Sequence, residues 1–194
     1  MRGMTQQQLG LFADPHEGPA GLRYAENFID ATAEQELIGR VATLPLQRFQ
    51  FGAFEGNRRV ASFGYRYDYA LQRLAEADPI PDWVLPVARQ AEAWAGLAEG
   101  SVRQVLCTEY EAGIGIGWHR DKPHFDKVLG LSLGAPCKFR FRRRSGDKWE
   151  RHTLEALPRS LYLIDGEARS QWEHSIPPVE AKRYSITFRT MKGR

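Results

Sequence analysis

Apolar residues recur at helical spacing in two stretches of the first half of the chain. Leu37, Ile38 and Val41 share one face, and Thr32 with Gln35 has the spacing of a capping box, which predicts a helix starting at Thr32. Val84, Val87, Ala88, Ala91 and Ala95 share another face and predict a helix from about Pro81-Asp82. Pro86 falls in its first turn, where a missing N–H costs little, and Gly96 and Gly100 help to end it. Between these helices, residues 47–70 alternate aromatic and polar positions: Phe49, Phe51, Phe54, Phe63, Tyr65, Tyr67 and Tyr69. That pattern predicts a hairpin-like lid. From residue 102 onward the pattern is all strand. Val105-Leu106-Cys107 leads to Tyr110, and Val128 to Leu133 is an apolar run suited to burial on both faces. Cys137, Phe139 and Phe141 alternate with Lys138, Arg140 and Arg142. Leu161 to Ile164 forms another run, and Arg183 to Thr190 the last strand. Helices followed by strands predict an α+β fold with a large antiparallel sheet, arranged as a sandwich or double-sheet barrel.

Composition changes this picture little. The chain has 194 residues, 42% hydrophobic and 26% charged, which suits one globular core. Residues 1–20 carry three consecutive glutamines, Asp14-Pro15 and Gly18-Pro19, and are expected to form a flexible tail ahead of one domain over 21–194. No apolar run approaches the roughly 20 residues of a membrane span, and the N-terminus lacks a secretory pattern. Cys107 and Cys137 form no CxxC pair, which argues against a disulfide scaffold or structural zinc. A cytoplasmic monomer is the expectation. The net charge of +3 is mildly basic and implies a nucleic-acid partner only where cations cluster.

Most histidines are surface or core residues, and that reading applies by default to His16, His124 and His152. His119 differs, because Trp118-His119-Arg120-Asp121 sets an imidazole one residue from a carboxylate. In extended backbone such residues point the same way. With His174 as a distant third ligand they would form a 2-His-1-carboxylate set, which suits non-haem Fe(II). A chance pair is the competing reading. The last strand, Arg183-Tyr184-Ser185-Ile186-Thr187-Phe188-Arg189, is polar at odd positions and bulky at even ones. Its polar face is either a solvated exterior or an interior pair of guanidinium forks for a dicarboxylate such as 2-oxoglutarate. A zinc hydrolase gives two inward arginines no role. A non-catalytic binding module gives no role to the intact ligand set.

Together these residues carry a resemblance. Thr108-Glu109-Tyr110, Gly113, Gly115, His119-x-Asp121, Leu131-Ser132-Leu133-Gly134, His174 and RYSITFR resemble the AlkB family of Fe(II)/2-oxoglutarate dioxygenases. So does the lid phrase Arg58-Arg59-Val60-x-x-Phe63-Gly64-Tyr65. The phrases Leu157-Pro158-Arg159-Ser160-Leu161 and Gly166-Glu167-Ala168-Arg169 are similar to the branch holding the tRNA-modifying animal homologue. The resemblance implies a double-stranded β-helix (jelly-roll) core with N-terminal helices backing one sheet. It implies Fe(II) held by His119, Asp121 and His174, with 2-oxoglutarate and O2 as co-substrates. Arg183 would bind the distal carboxylate with help from Tyr110, and Ser185 and Arg189 would line the same pocket. The family usually has Asn where this chain has Thr108 and Ser185. DNA-repair members often carry a carboxylate where this chain has Pro123, which His124 follows.

The implied activity is oxidative dealkylation of nucleic-acid bases, in DNA or RNA repair. The alternative is a tRNA wobble-base hydroxylase or a protein-directed oxygenase of the same family. Arg59, Tyr65, Tyr67, Arg120, Lys122, Arg140 and Arg142 are the candidate nucleic-acid contacts, because cations track phosphates and aromatic faces stack on extruded bases. In the tail, Gln8-Leu9-Gly10-Leu11-Phe12 resembles the QLxLF peptide that docks bacterial repair proteins on the DNA sliding clamp. Gln8, Leu9, Leu11 and Phe12 would make that contact.

Overall fold

The computed structural model describes residues 18–51, 54–68 and 70–193, so residues 1–17 of the tail, with the clamp-like peptide, lie outside the described residues. Tyr69 lies outside them too, as do the side chains of Phe51 and Phe54. Two antiparallel sheets face each other. The larger has seven strands in the order β1-β11-β8-β13-β6-β3-β2, and the smaller has four in the order β10-β9-β12-β7. Their bounds are β1 Leu22–Ala25, β2 Gln47–Phe51, β3 Phe54–Phe63, β6 Gln104–Tyr110, β7 Ile116–His119, β8 Phe125–Gly134, β9 Cys137–Ser145, β10 Lys148–Ala156, β11 Leu161–Ile164, β12 Glu173–Ile176 and β13 Arg183–Met191. A separate two-stranded sheet joins β4 Tyr65–Asp68 to β5 Arg73–Glu76.

Strand parity decides where each side chain goes. On β13, Tyr184, Ile186 and Phe188 face the helices α1 (Ala31–Ala42) and α2 (Leu85–Ala95). Leu37, Val41, Val87, Ala88 and Ala91 meet them there, with Leu129, Leu131 and Leu133 of β8, in one buried cluster. The helices back the large sheet, as the resemblance implies. A second cluster lies between the sheets, with Phe139, Phe141, Leu154, Val128, Ile164 and Ile176. Burying such side chains stabilises by about 1.5–3 kcal/mol each.

Several local expectations are corrected. The first helix is capped by Asp30, whose carboxylate accepts the Ala33 N–H at 2.8 Å, and not by Thr32, which already lies inside the helix. α2 does follow a short turn over Asp82–Val84 and ends at Gly96, whose φ of 73° is left-handed. Gly100 lies in the loop beyond that end. The segment 47–70 is only partly a lid. β2 and β3 pair as a hairpin, but β3 also pairs β6 and so extends the large sheet. The free-standing hairpin is β4–β5. Strands also precede and separate the helices, since β1 pairs β11. The stretch after 102 is not all strand: Asp165 caps a short helix, α3 (Gly166–Ser170), by accepting the Gly166 N–H.

On the helix-backed face, beside β3, an ion-pair network ties three strands. Glu109 of β6 accepts from Arg59 Nε of β3 at 2.7 Å and stands 3.1 Å from Lys182, just before β13. Burial alone would raise the Glu109 carboxyl; Arg59, Lys182 and Tyr184 outweigh it and hold it below 4.5. A lowered folded value means this stabilisation is present above 4.5 and fades as pH falls through the folded value. Glu109→Gln is expected to cost about 1–3 kcal/mol at neutral pH, measured by urea unfolding. The difference from wild type should shrink well below pH 4.5.

Candidate active site

The inner face of the large sheet is where the odd positions of β13 point. Arg183, Ser185, Thr187 and Arg189 line a pocket together with Thr108 and Tyr110 of β6. Cross-strand register explains the set: Arg183 pairs Tyr110, and Ser185 pairs Thr108 on one side and Ser132 on the other. The polar face of the last strand is thus interior and not solvated.

The opposite wall is the smaller sheet. His174 of β12 pairs directly with His119 of β7, so both rings project from one face with centroids 4.4 Å apart. Asp121 follows two residues later and sets Oδ2 3.4 Å from His174 Nε2. The His119 Nδ1–H donates to the Gly117 carbonyl at 2.9 Å, which leaves Nε2 as the free lone-pair donor. Burial holds the His174 imidazole down at about 3, with His119 adding to the effect and Asp121 opposing it. Burial also lowers His119, against Asp121 and the Gly117 carbonyl. Burial would raise the Asp121 carboxyl; Arg189, His174, His119 and Arg169 outweigh it and hold it well below the carboxylate range.

The donors present are therefore two neutral imidazoles and one ionised carboxylate, a set that fits divalent iron. As the side chains stand, no three His, Cys, Asp or Glu groups among the described residues close on one metal-holding point. Two donors at about 2.1 Å from one ion and at right angles stand about 3 Å apart. The Asp121–His174 spacing of 3.4 Å is a small rotation from that. Arg189 fixes the other carboxylate oxygen: its Nε and NH2 reach Oδ1 at 2.8 and 2.6 Å while NH1 donates to Gln104.

Arg183 supplies a second test of fit. It is 1% exposed, and NH2 donates to Ser132 Oγ at 2.9 Å. Its Nε and NH1 have no hydrogen-bond partner among the described residues. A buried guanidinium with two idle donors is costly unless an anion completes it. A carboxylate of a bound co-substrate would do so, with the Tyr110 ring 4.9 Å beneath the charge.

Sequence reasoning missed Tyr162. It lines the pocket from β11, and burial raises its phenol well above the usual value. Its ring lies across Gly130, where a Cβ would fall 2.0 Å from Tyr162 Cζ. The signal was the lone polar residue in Leu161-Tyr162-Leu163-Ile164, opposite a glycine in the Val128–Leu133 run. Arg169 carries part of the resemblance, and the pattern assigns it no further role. It donates to the carbonyls of Lys122, Phe125 and Asp126 and so pins the loop after Asp121.

The candidate nucleic-acid contacts scatter. Lys122 Nζ lies 4.4 Å over the Tyr67 ring, and His124 packs 5.9 Å from it, joining the β4–β5 lid to the loop after Asp121. Tyr65 is half-buried on the same lid hairpin. Arg59 points to the outer face of the large sheet, away from the pocket, and its neighbour Arg58 lines the pocket instead. Arg120 donates to the Gln171 carbonyl at 3.0 Å. Arg140 donates to Ser175 Oγ and Arg142 to Glu173, both on the outer side of the smaller sheet.

A double sheet with a His-x-Asp…His wall facing an arginine-bearing strand defines an oxygenase architecture. The chain belongs to the 2OG-Fe(II) oxygenase superfamily, whose family model matches residues 21–189. Among characterised relatives it is AlkB-like. It is 30% identical to the Alkylated DNA repair protein ALKBH8 homolog of Arabidopsis thaliana, over 81% of this chain and 51% of that protein. It is 31% identical to the tRNA (carboxymethyluridine(34)-5-O)-methyltransferase ALKBH8 of Mus musculus, over 82% of this chain and 24% of that one. The chain thus spans about half, or less, of the length of these relatives. In fold it matches OsALKBH1, with a TM-score of 0.69 at 17% identity over 90% of this chain and 98% of that one. The family works with Fe(II), 2-oxoglutarate and O2.

Gly130→Ala is expected to cost about 1–3 kcal/mol through the clash with Tyr162. Adding Tyr162→Ala should recover part of that loss, a coupling read from the thermal midpoints of the single and double variants.

Proposed function

We propose that this dioxygenase oxidises an alkyl carbon carried by a nucleic-acid base. The observation that carries the reading is the buried Arg183 guanidinium with two idle donors, set across a narrow pocket from His119, Asp121 and His174. In this reading those three residues hold the iron. Arg183 takes the distal carboxylate of 2-oxoglutarate, with the Tyr110 hydroxyl and Ser185 beside it. Arg189 keeps Asp121 ionised and aimed. Tyr162, which lines the same pocket, offers a further donor to the co-substrate. Bound iron and 2-oxoglutarate supply the oxidising power: one oxygen atom of O2 enters a C–H bond and the other ends in succinate, with release of CO2. The protein's part is to bind, to aim and to keep the pocket dry.

Nucleic acid as the substrate is supported by the Lys122–Tyr67–His124 cluster over the metal loop and by the printed names of the relatives. Two outcomes follow from where the carbon sits. On a ring nitrogen, the hydroxylated product expels an aldehyde, which is dealkylation. On a ring-carbon substituent the alcohol persists, which is hydroxylation of the tRNA wobble-uridine kind. Pro123-His124, in place of a base-reading carboxylate, favours the second. The fold neighbours include a Pseudomonas putida prolyl-4-hydroxylase at 13% identity, which speaks to fold alone.

The test is anaerobic loading with Fe(II) and 2-oxoglutarate, then air, with methylated single-stranded DNA, methylated RNA and tRNA offered separately. Aldehyde release with a restored base establishes dealkylation. A hydroxylated tRNA nucleoside establishes the second reading. Succinate without any base product moves the substrate to protein. Arg183→Gln is expected to weaken 2-oxoglutarate binding about 10- to 100-fold, and Tyr162→Phe by a smaller factor. Calorimetry with Mn(II) in place of iron reads both.

Gln8, Leu9, Leu11 and Phe12 are proposed to dock the enzyme on a bacterial DNA sliding clamp. Deleting residues 1–16 should abolish capture by the clamp while leaving succinate formation unchanged. Capture that survives the deletion refutes the docking.

A further inference from the structure

The outer face of the smaller sheet has a composition that the pocket chemistry does not use. Register places Lys138, Arg140, Arg142 and Arg144 of β9 on that face, because Cys137, Phe139 and Phe141 alternate with them into the core. Arg142 pairs Arg151 of β10, and Arg144 pairs Trp149, so both β10 residues share the face. Trp118 of β7 joins them, since its neighbour His119 points into the pocket.

These side chains interleave. The Arg140 and Arg142 guanidinium groups lie 5.1 and 4.4 Å from the Trp118 ring centre. Arg142 and Arg144 lie 4.4 and 4.5 Å from that of Trp149. The result is a ladder of planar cations and indoles across the sheet. Carboxylates are few on this face. Glu173 pairs Arg142, and Glu155 stands opposite Lys138. Exposed Lys138 and Arg151 make no hydrogen bond or ion pair among the described residues. A ladder built only to stabilise the sheet would balance its charges; this one keeps a surplus of cations.

We propose that this face is a track for a single-stranded nucleic acid, an inference that rests on the nucleic-acid reading of the pocket. Two properties select that occupant. Guanidinium groups two residues apart on one strand recur every ~6.8 Å, a regular row of cations for successive phosphates. Indole planes among them offer stacking to unpaired bases, which a duplex hides. An acidic peptide would use the cations and leave the indoles idle. β7 is an edge strand of its sheet. A strand bound at the pocket reaches the ladder by passing around it, from His119 on the inner side to Trp118 on the outer.

The test measures binding of the full chain to unmodified single-stranded RNA, single-stranded DNA and duplex DNA by fluorescence anisotropy across a salt series. Wild type should bind either single strand more tightly than the duplex. The double variant Arg144→Gln/Arg151→Gln should weaken binding roughly tenfold at low salt and reduce the salt slope by about 1.4, as two lost phosphate contacts require. Trp149→Ala should weaken binding roughly tenfold with little change in salt slope, and Trp149→Phe should restore most of it. Unchanged thermal midpoints and unchanged 2-oxoglutarate binding show that fold and pocket are intact. Single-strand binding that survives these variants overturns the track and leaves the pocket reading standing. Equal affinity for duplex, or equal competition by polyglutamate, overturns the occupant. If wild type binds no nucleic acid at all, while still consuming 2-oxoglutarate, the track and the nucleic-acid reading of the pocket both fall.

Discussion

One strand sets the terms for the whole molecule. β13 lies inside the seven-stranded sheet, hydrogen-bonded to β6 and β8, so it has no edge on which to place a charge. Both its faces are covered, one by helices and the other by the second sheet. Yet it carries Arg183 and Arg189. A guanidinium in such a place must be compensated, because an unpaired buried charge costs several kcal/mol. Arg189 is compensated within the chain, by Asp121 and Gln104. Among the described residues the Arg183 guanidinium has one hydrogen bond, to Ser132, and the Tyr110 ring beneath it, but no carboxylate. The difference between these two arginines leaves the cavity with two idle donors where a salt-bridged core would have none.

The same logic governs the opposite wall. Two imidazoles in contact, His174 buried and His119 partly buried, remain neutral, and Asp121 remains charged because Arg189 stands against it. Arg169 fixes the backbone that carries the aspartate by donating to three carbonyls. Each donor is therefore held in the protonation state that a metal needs, before any metal is present. The protonation cost thus falls on folding, and what is left for metal binding is the small rotation of the Asp121 carboxylate.

The sequence made much of this legible, for identifiable reasons. Alternation on β13 and the one-residue gap between His119 and Asp121 are local, and local periodicity survives folding. The pairing of His174 with His119 is not local, and the residue pattern offered His174 only as a distant candidate for a third ligand. Helix α1 was found by its apolar face, but its start was misplaced, because Thr32 and Gln35 mimic a cap that Asp30 provides. Strand β1 escaped notice because four residues carry too little pattern; it exists because β11 offers it an edge. Tyr162 was hidden in an apolar run and becomes visible only when Gly130 is seen across from it.

Parity also explains why the basic residues were harder to read than the His-x-Asp pair. Arg58 and Arg59 are adjacent and of one type, yet a strand sends them to opposite faces. One reaches the pocket and the other meets Glu109. A cluster of cations in sequence therefore divides into separate surfaces once strands form, and only register tells which is which. Arg140, Arg142 and Arg144 stay together because they are two apart, while Arg143 between them turns away to Glu150, Glu167 and Trp172. The cations that remain on one face are those whose spacing matches the strand repeat, and on β9 they are also the ones that share that face with indoles.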